Sequence, residues 1–163
     1  MAVRRLAFYA VDQNSLLELY IHGAGKIGVL VELGLSESAC KEKNAIKELI
    51  HDLSLQIAAS RAQYIAPENV SADLVAKEKE IYLAQAMNEG KPANIAERMV
   101  EGRVRKFYEE ICLLNQVFVK DSELTIAKLI AKVAKEVGCN ITVKSFTRFE
   151  IGEGVTNPEG EKE

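Results

Sequence analysis

The sequence predicts an α+β protein: a small three-stranded antiparallel sheet covered by helices, with a protruding antiparallel helical hairpin. Three observations predict it. Short β-prone runs flank a Gly-rich turn early in the chain, and one more lies near its end. Long runs with helical period separate them. A helix stop and restart at Gly90 and Pro92 divides the longest helical stretch in two. Few strands interleaved with long helices give a small sheet with helices on one side.

Each element has its own justification. Arg4 to Val11 reads as a strand-like apolar run. Leu16 to His22 is a strand with Leu17, Leu19 and Ile21 on one face, and Ile27 to Leu33 is a second, strongly β-prone strand. Between them Gly23-Ala24-Gly25-Lys26 is a turn of the kind that closes antiparallel hairpins. Leu33 to Ser38 connects to a helix that Ser36 or Ser38 is placed to cap. That helix runs to about Ser60, with Ile46, Leu49, Ile50, Leu53 and Ile57 on one buried face. Pro67-Glu68-Asn69 is a loop or a single helical turn.

Ser71 to Met87 and Ala93 to Leu114 are runs of good helix formers. So short a link folds them back on each other. The apolar seam reads as Leu74, Ile81 and Tyr82 against Ile95, Met99, Phe107, Ile111 and Leu114, and most other positions are charged. A stripe that narrow does not sit deep in a core. The tip half, Tyr82 to Arg98, is expected to project into solvent, and Phe107 to Leu114 to anchor it. A projecting helical finger without catalytic residues touches another macromolecule or is simply solvated; the pattern alone leaves both open.

Val117 to Val119 is extended; Thr125 to Val137 is amphipathic with Ile126, Leu129, Ile130 and Val133 inward, and Gly138 ends it. Ile141 to Ile151 alternates, with Ile141, Val143, Ser145, Thr147 and Phe149 against Thr142, Lys144, Phe146 and Arg148, as a strand closing the sheet. Residues 1–70 and 115–152 therefore form an α+β core, 71–114 a coiled-coil insertion, and 153–163 a disordered tail.

Bulk properties bound the function. The chain has 163 residues, 48% hydrophobic and 28% charged, with a net charge of −3. That balance supplies no general attraction to nucleic acid or an anionic membrane. No apolar run approaches the roughly 20 residues that span a bilayer. The opening apolar run is too short for a secretory signal, so a cytoplasmic location is the default. Cys40, Cys112 and Cys139 are far apart in sequence and odd in number, without metal-ligand spacing, and read as free thiols.

Several motifs lose their usual meaning in context. Gly23 to Gly28 matches Gly-x-Gly-x-x-Gly, but Val29-Leu30-Val31 follows it, where a dinucleotide site needs a helix. There is no Gly-Lys-Ser/Thr phosphate loop. Neither His22 nor His51 stands in a nucleophile or general-base arrangement. Arg98, Arg103, Arg105 and Lys106 interleave with Glu97, Glu101, Glu109 and Glu110, which makes a mixed, salt-bridged face.

Several blocks together resemble bacterial elongation factor Ts. They are Tyr20-Ile21-His22-Gly23 with Lys26 to Val31, His51 to Ser60, Glu89-Gly90-Lys91-Pro92, Val100-Glu101-Gly102-Arg103, Lys106-Phe107, Gln116 to Val119 and Arg148 to Gly154. The order is the family's and the likeness covers nearly the whole chain. It is similar to the second core half with its coiled coil. The Leu-Arg…Thr-Gly domain is absent, and where the first half carries Thr-Asp-Phe-Val this chain reads Gly34 to Cys40 with no Asp-Phe pair. The Arg4-Arg5 run resembles the family's join between halves, as in an excised domain or a shortened gene product.

The resemblance implies a guanine-nucleotide exchange factor that binds elongation factor Tu, performs no covalent chemistry and uses no cofactor or metal. It implies that this half grips the partner through its sheet and β-hairpin. The contact expected there is His22, Gly23, Ala24 and Gly25, with a second at the coiled-coil tip, Asn88, Glu89, Gly90, Lys91 and Pro92. Direct nucleic-acid and membrane contacts are not expected. The alternative is a self-associating scaffold domain without exchange activity, since short family members pair two single cores. A bacterial cytoplasmic source is implied, with an organellar version as the variant.

Overall fold

Alternating apolar residues and a tight glycine turn bring the first two strands together, and everything else is laid against them. The computed structural model describes residues 5–153; the rest of the expected tail and the opening residues lie outside these. The strands are β1 (Ser15–His22), β2 (Ile27–Leu35), β3 (Val117–Phe118), β4 (Asp121–Thr125) and β5 (Ile141–Glu150). The helices are α1 (Asn44–Ser60), α2 (Ala72–Asn88), α3 (Ala93–Ile111) and α4 (Ile126–Val137), with short 3-10 turns at Ser38–Glu42, Pro67–Asn69 and Leu113–Asn115.

The main sheet is antiparallel, in the order β1-β2-β5. β2 is central, and its Val29, Val31 and Leu33 are fully buried. On that face α1 lays down Ile46, Leu49, Ile50, Leu53 and Ile57, and α4 adds Ile126 and Ile130. Each such side chain contributes about 1.5–3 kcal/mol by leaving water. The periodicities read from the sequence are those the core uses. The α+β class, the three-stranded sheet and the helical hairpin are all present.

Five details differ, each for a physical reason. First, Arg5 to Val11 is not a strand: it has no ladder partner. Side chains hold it instead, with Tyr9 Oη 2.7 Å from Thr147 Oγ1 and the Arg5 guanidinium 4.6 Å above the Phe149 ring. Second, neither Ser36 nor Ser38 caps α1; Lys43 precedes it with no side-chain cap. Ser36 is engaged at Asn140, whose N–H donates to its hydroxyl at 3.1 Å.

Third, the alternation of β5 is interrupted. Glu32 pairs with Ser145 but Leu33 with Val143, so Lys144 is an extra residue. A bulge of this kind shifts the face of every later side chain. Phe146 therefore packs on the core and Arg148 reaches the Ala58 carbonyl, while Ser145 turns to Glu32 on the other face. Fourth, α3 ends at Ile111, because Cys112 forms a parallel bridge with Tyr64. Fifth, β3 and β4 make a second, two-stranded ladder that Val117 to Val119 only hinted at.

The seam of the hairpin also differs. Its buried positions are Ala86 on α2 and Ala96, Val100, Val104 and Ile111 on α3. Ile81 and Ile95, expected inside, are 49% and 45% exposed. The two fully buried positions of the hairpin are alanines, Ala86 and Ala96, and they bring little apolar area to the seam.

Candidate functional site

The turn closing β1 on β2 is left-handed at three consecutive residues: Gly23 (φ 61°), Ala24 (φ 54°) and Gly25 (φ 89°). Glycine enters this region freely, whereas Ala24 does so at a cost of roughly 1 kcal/mol. The Lys26 N–H donates to the Gly23 carbonyl at 3.2 Å and closes the loop. His22 to Lys26 are all exposed. The Gly-x-Gly-x-x-Gly run is thus a hairpin followed by a strand, with no helix to face a pyrophosphate.

His22 stands at the end of β1, its Nδ1 2.8 Å from Tyr20 Oη. The Tyr20 ring meets His51 edge-on, centroids 5.5 Å apart. His51 Nδ1 in turn lies 2.9 Å from Glu18 Oε1. The two histidines are tied into one chain of contacts joining β1 to α1.

Beside His22 lies a groove of about 450 Å³ lined by Ile27, Leu55, Ala58, Arg61, Val119 and Arg148 among others. Arg61 ends α1 in a left-handed conformation, φ 55°. Its guanidinium lies 3.4 Å from Glu150 Oε1, and that of Arg148 2.8 Å from Glu150 Oε2. Ala24 and Arg61 are the only non-glycine residues with positive φ among the described residues, and both belong to this corner. Strain of that kind persists where the surroundings over-determine it, and it concentrates at working sites. The sequence reading found the turn but not the groove. Its lining comes from four segments far apart in the chain, which no local pattern links.

The second expected contact lies at the other end of the hairpin. Asn88 closes α2 and Glu89 follows as its cap. Gly90 takes φ 74°, the left-handed value expected of it. Pro92 is the residue before α3, not its first turn, and its carbonyl accepts from the Ile95 and Ala96 N–H groups at 2.9 Å each. Residues 88–92 are all exposed. Arg103 lies 3.7 Å from Glu89 Oε1, donates to Gln85 and sits 5.8 Å above the Tyr82 ring. It is therefore scaffold for the tip. Burial, with the Glu78 carboxylate close by, holds the Tyr82 hydroxyl above its usual value. The turn at His22–Gly25 and the tip at Asn88–Pro92 share no hydrogen bond and no groove among the described residues.

A polar clip fixes the base of the hairpin to the body. Gln116 donates from Nε2 to the Glu110 carbonyl at 2.8 Å. Its Oε1 accepts from Ser60 Oγ at 2.6 Å and Gln56 Nε2 at 3.2 Å. Gln56 also accepts from the Val119 N–H at 2.9 Å. Gln116 and Gln56 are buried, and every buried side-chain polar atom among the described residues has a partner. The Gln-x-Phe-Val block is thus a structural clip, which explains its glutamine.

The sheet face away from α1 is covered in part: residues 5–9 lie over β5 through Tyr9–Thr147 and Arg5–Phe149, whereas Leu19 and Ile21 on β1 are 66% and 56% exposed, with Leu17 beside them. The sequence carried a signal for this. β1 is apolar at Leu16 and Tyr20 as well as at Leu17, Leu19 and Ile21, a pattern for a strand covered on both faces. Among the described residues no group of three or more His, Cys, Asp or Glu is placed to hold a metal, and no helix is long and apolar enough to cross a membrane.

Comparison with known proteins gives this arrangement a lineage. The sequence profile of the family described as Elongation factor TS matches residues 1–153. The chain is 48% identical over 153 residues to Elongation factor Ts of Symbiobacterium thermophilum, covering 94% of this chain and 50% of that protein. It is 49% identical over 160 residues to the Elongation factor Ts of Clostridium botulinum (strain Alaska E43 / Type E3), covering 98% and 51%. To that of Moorella thermoacetica it is 44% identical over 149 residues, covering 91% and 73%. The chain spans about half the length of the first two of these relatives. A match along nearly its whole length, on a fold with the expected sheet and helical hairpin, means that this chain belongs to the elongation factor Ts family.

Proposed function

We propose that this chain is the partner-gripping part of a guanine-nucleotide exchange factor for elongation factor Tu, acting in the bacterial cytoplasm during protein biosynthesis. The observation that carries it is the strained, exposed corner at His22–Gly25 beside the Arg61 groove, on a chain of this family. Such a factor does no covalent chemistry. It binds the nucleotide-free GTPase more tightly than the GDP-bound one, and linkage then requires that it weaken GDP binding by the same factor. The corner offers a preformed loop, so little ordering entropy is lost on docking. The tip at Asn88–Pro92 gives a second contact well away from the first.

The stretch that carries Thr-Asp-Phe-Val in the family reads Gly34 to Cys40 here, so gripping and disturbing the nucleotide site are separable tasks. Binding to elongation factor Tu and GDP release from it are to be measured on the same sample. Binding with unchanged release supports a gripping role; no binding at micromolar concentration overturns it. Replacing His22 by Ala is expected to weaken binding about tenfold, roughly 1.4 kcal/mol. Unchanged affinity removes His22 from the interface.

The exposed face of β1 favours a second reading. Leu17, Leu19 and Ile21 are exposed in a row on one face of β1, and contiguous exposed apolar side chains are a mark of interaction sites. A second copy of this chain, or a separate chain bearing the other core half, would cover that face. Sedimentation at several concentrations distinguishes a self-associating scaffold from a monomer awaiting a different partner.

A further inference from the structure

Dispersed in sequence, the three cysteines are sorted by the fold into one isolated thiol and one pair. Cys112 lies at the base of the hairpin, where burial, with Glu68 nearby, pushes its thiol up to about 11. A thiol held there is inert. Cys40 lies in the 3-10 turn after β2, and Cys139 between α4 and β5. The two share one buried cluster, each only 3% exposed, and Cys139 is the neighbour that acts most strongly on the Cys40 thiol. The sheet explains the meeting. β2 and β5 pair Leu35 with Ile141, so the segment leaving one strand lies beside the segment entering the other.

Ser36 laces these segments together. Its N–H donates to the Asn140 carbonyl at 3.0 Å, and its hydroxyl lies 3.4 Å from Cys139 Sγ. Burial pushes the Cys139 thiol up, but hydrogen bonds from Cys40, from the Ser36 side chain and from the Ser36 and Glu37 backbone outweigh it and leave the thiol below its ordinary value. Cys40 is raised, first by its hydrogen bond to Cys139 and then by burial. One sulfur is disposed to carry negative charge and the other to give it a proton.

We propose that Cys40 and Cys139 are a modification site: a dithiol that closes to a reversible intrachain disulfide when the chain meets hydrogen peroxide. The Cys139 thiolate attacks one peroxide oxygen; the O–O bond breaks, a sulfenic acid forms, and hydroxide leaves to become water. The Cys40 sulfur then attacks the sulfenic sulfur. The S–S bond forms, the S–O bond breaks, and the Cys40 proton leaves with the hydroxide as a second water. The thiols lose two electrons and two protons, and the peroxide is reduced to two waters. With each thiol only 3% exposed, a small oxidant is favoured over a bulky one. The link would fasten the β2–α1 connection to the α4–β5 turn. It lies at the opposite end of β2 from the β1–β2 turn, so it does not depend on how that turn is used.

The test treats the full chain with hydrogen peroxide, then denatures it, alkylates it and maps its peptides without reduction. The expected product is a Cys40–Cys139 linked peptide in monomeric chain, with Cys112 still alkylated and full reversal by dithiothreitol. Three alkylated cysteines, a link to Cys112 or a link between chains overturns the proposal. Cys40→Ser is expected to stop at a sulfenic acid on Cys139 that dimedone captures, and Cys139→Ser to give neither product. Dimedone capture at position 40 in Cys139→Ser, with none at 139 in Cys40→Ser, overturns the order of attack. Ser36→Ala, which keeps both thiols, is expected to slow the reaction severalfold near neutral pH; an unchanged rate removes Ser36 from it.

Discussion

The body and the hairpin are stabilised in opposite ways. In the body, large side chains carry the load: Leu33, Ile46, Leu49, Leu53 and Ile57 are among the largest fully buried residues. In the hairpin the two fully buried residues are alanines, Ala86 and Ala96, and the larger Ile81 and Ile95 are outside. A large buried side chain brings much apolar area; an alanine brings little. The body is therefore self-supporting, and the hairpin depends on how its base is held.

The sharpest way to break this contrast is to empty the core. Leu53→Ala is expected to lower the unfolding free energy by about 2–5 kcal/mol, read as a lower urea midpoint with unchanged slope. An equal loss from Val104→Ala in the hairpin would refute the contrast. Next comes the clip between the regions. Gln116→Ala leaves the Glu110 carbonyl and the Gln56 amide short of a partner, at a cost of about 1–3 kcal/mol. Hydrogen exchange should show the loss on both sides of the joint.

Overfilling the alanine seam is expected to stay local. Ala96→Leu should cost about 1–3 kcal/mol and raise amide exchange in α2 and α3, with β2 unaffected. Spread of that exchange into β2 would mean that the two regions unfold together.

The smallest expected effect is a pH dependence of the body alone. The hydrogen bond from Lys144, with the Asn14 N–H, holds the Asp12 carboxyl below its usual value. A depressed carboxyl stabilises above its unfolded value, and that contribution is lost as pH falls through the folded one. Asp12 in turn holds Lys144 above its usual value, so its contribution is present below the unfolded lysine value and lost as pH rises through the folded one. Asp12→Asn should flatten stability against pH at the acid end. At the alkaline end it should flatten only in part, because Glu32 stays 3.8 Å from Lys144.

Sequence legibility followed the same division. Where burial is strong and periodic, as in α1 and β2, residues and faces were readable. The Gly23–Gly25 and Gly90 turns were readable because left-handed backbone narrows the choice of residue. The hairpin seam was misread because alanine is only weakly apolar, so Ile81 and Ile95 dominated the pattern. The face of Phe146 was hidden by a one-residue bulge, which leaves no local mark in composition. Of the candidate site, the turn and the tip were visible. The groove was not, since Leu55, Arg61, Val119 and Arg148 meet only in three dimensions.

The joint below the hairpin has a mechanical consequence. Backbone bonds from Leu113 to the Tyr64 carbonyl at 2.8 Å and from Leu114 to the Ile65 carbonyl at 3.0 Å clamp its foot. At 1.5 Å per residue, α2 is a beam of about 25 Å fixed at one end. A push at Gly90 arrives at the foot as torque, multiplied by that length, and falls on the same glutamine pair that ties Val119 beside the His22 groove.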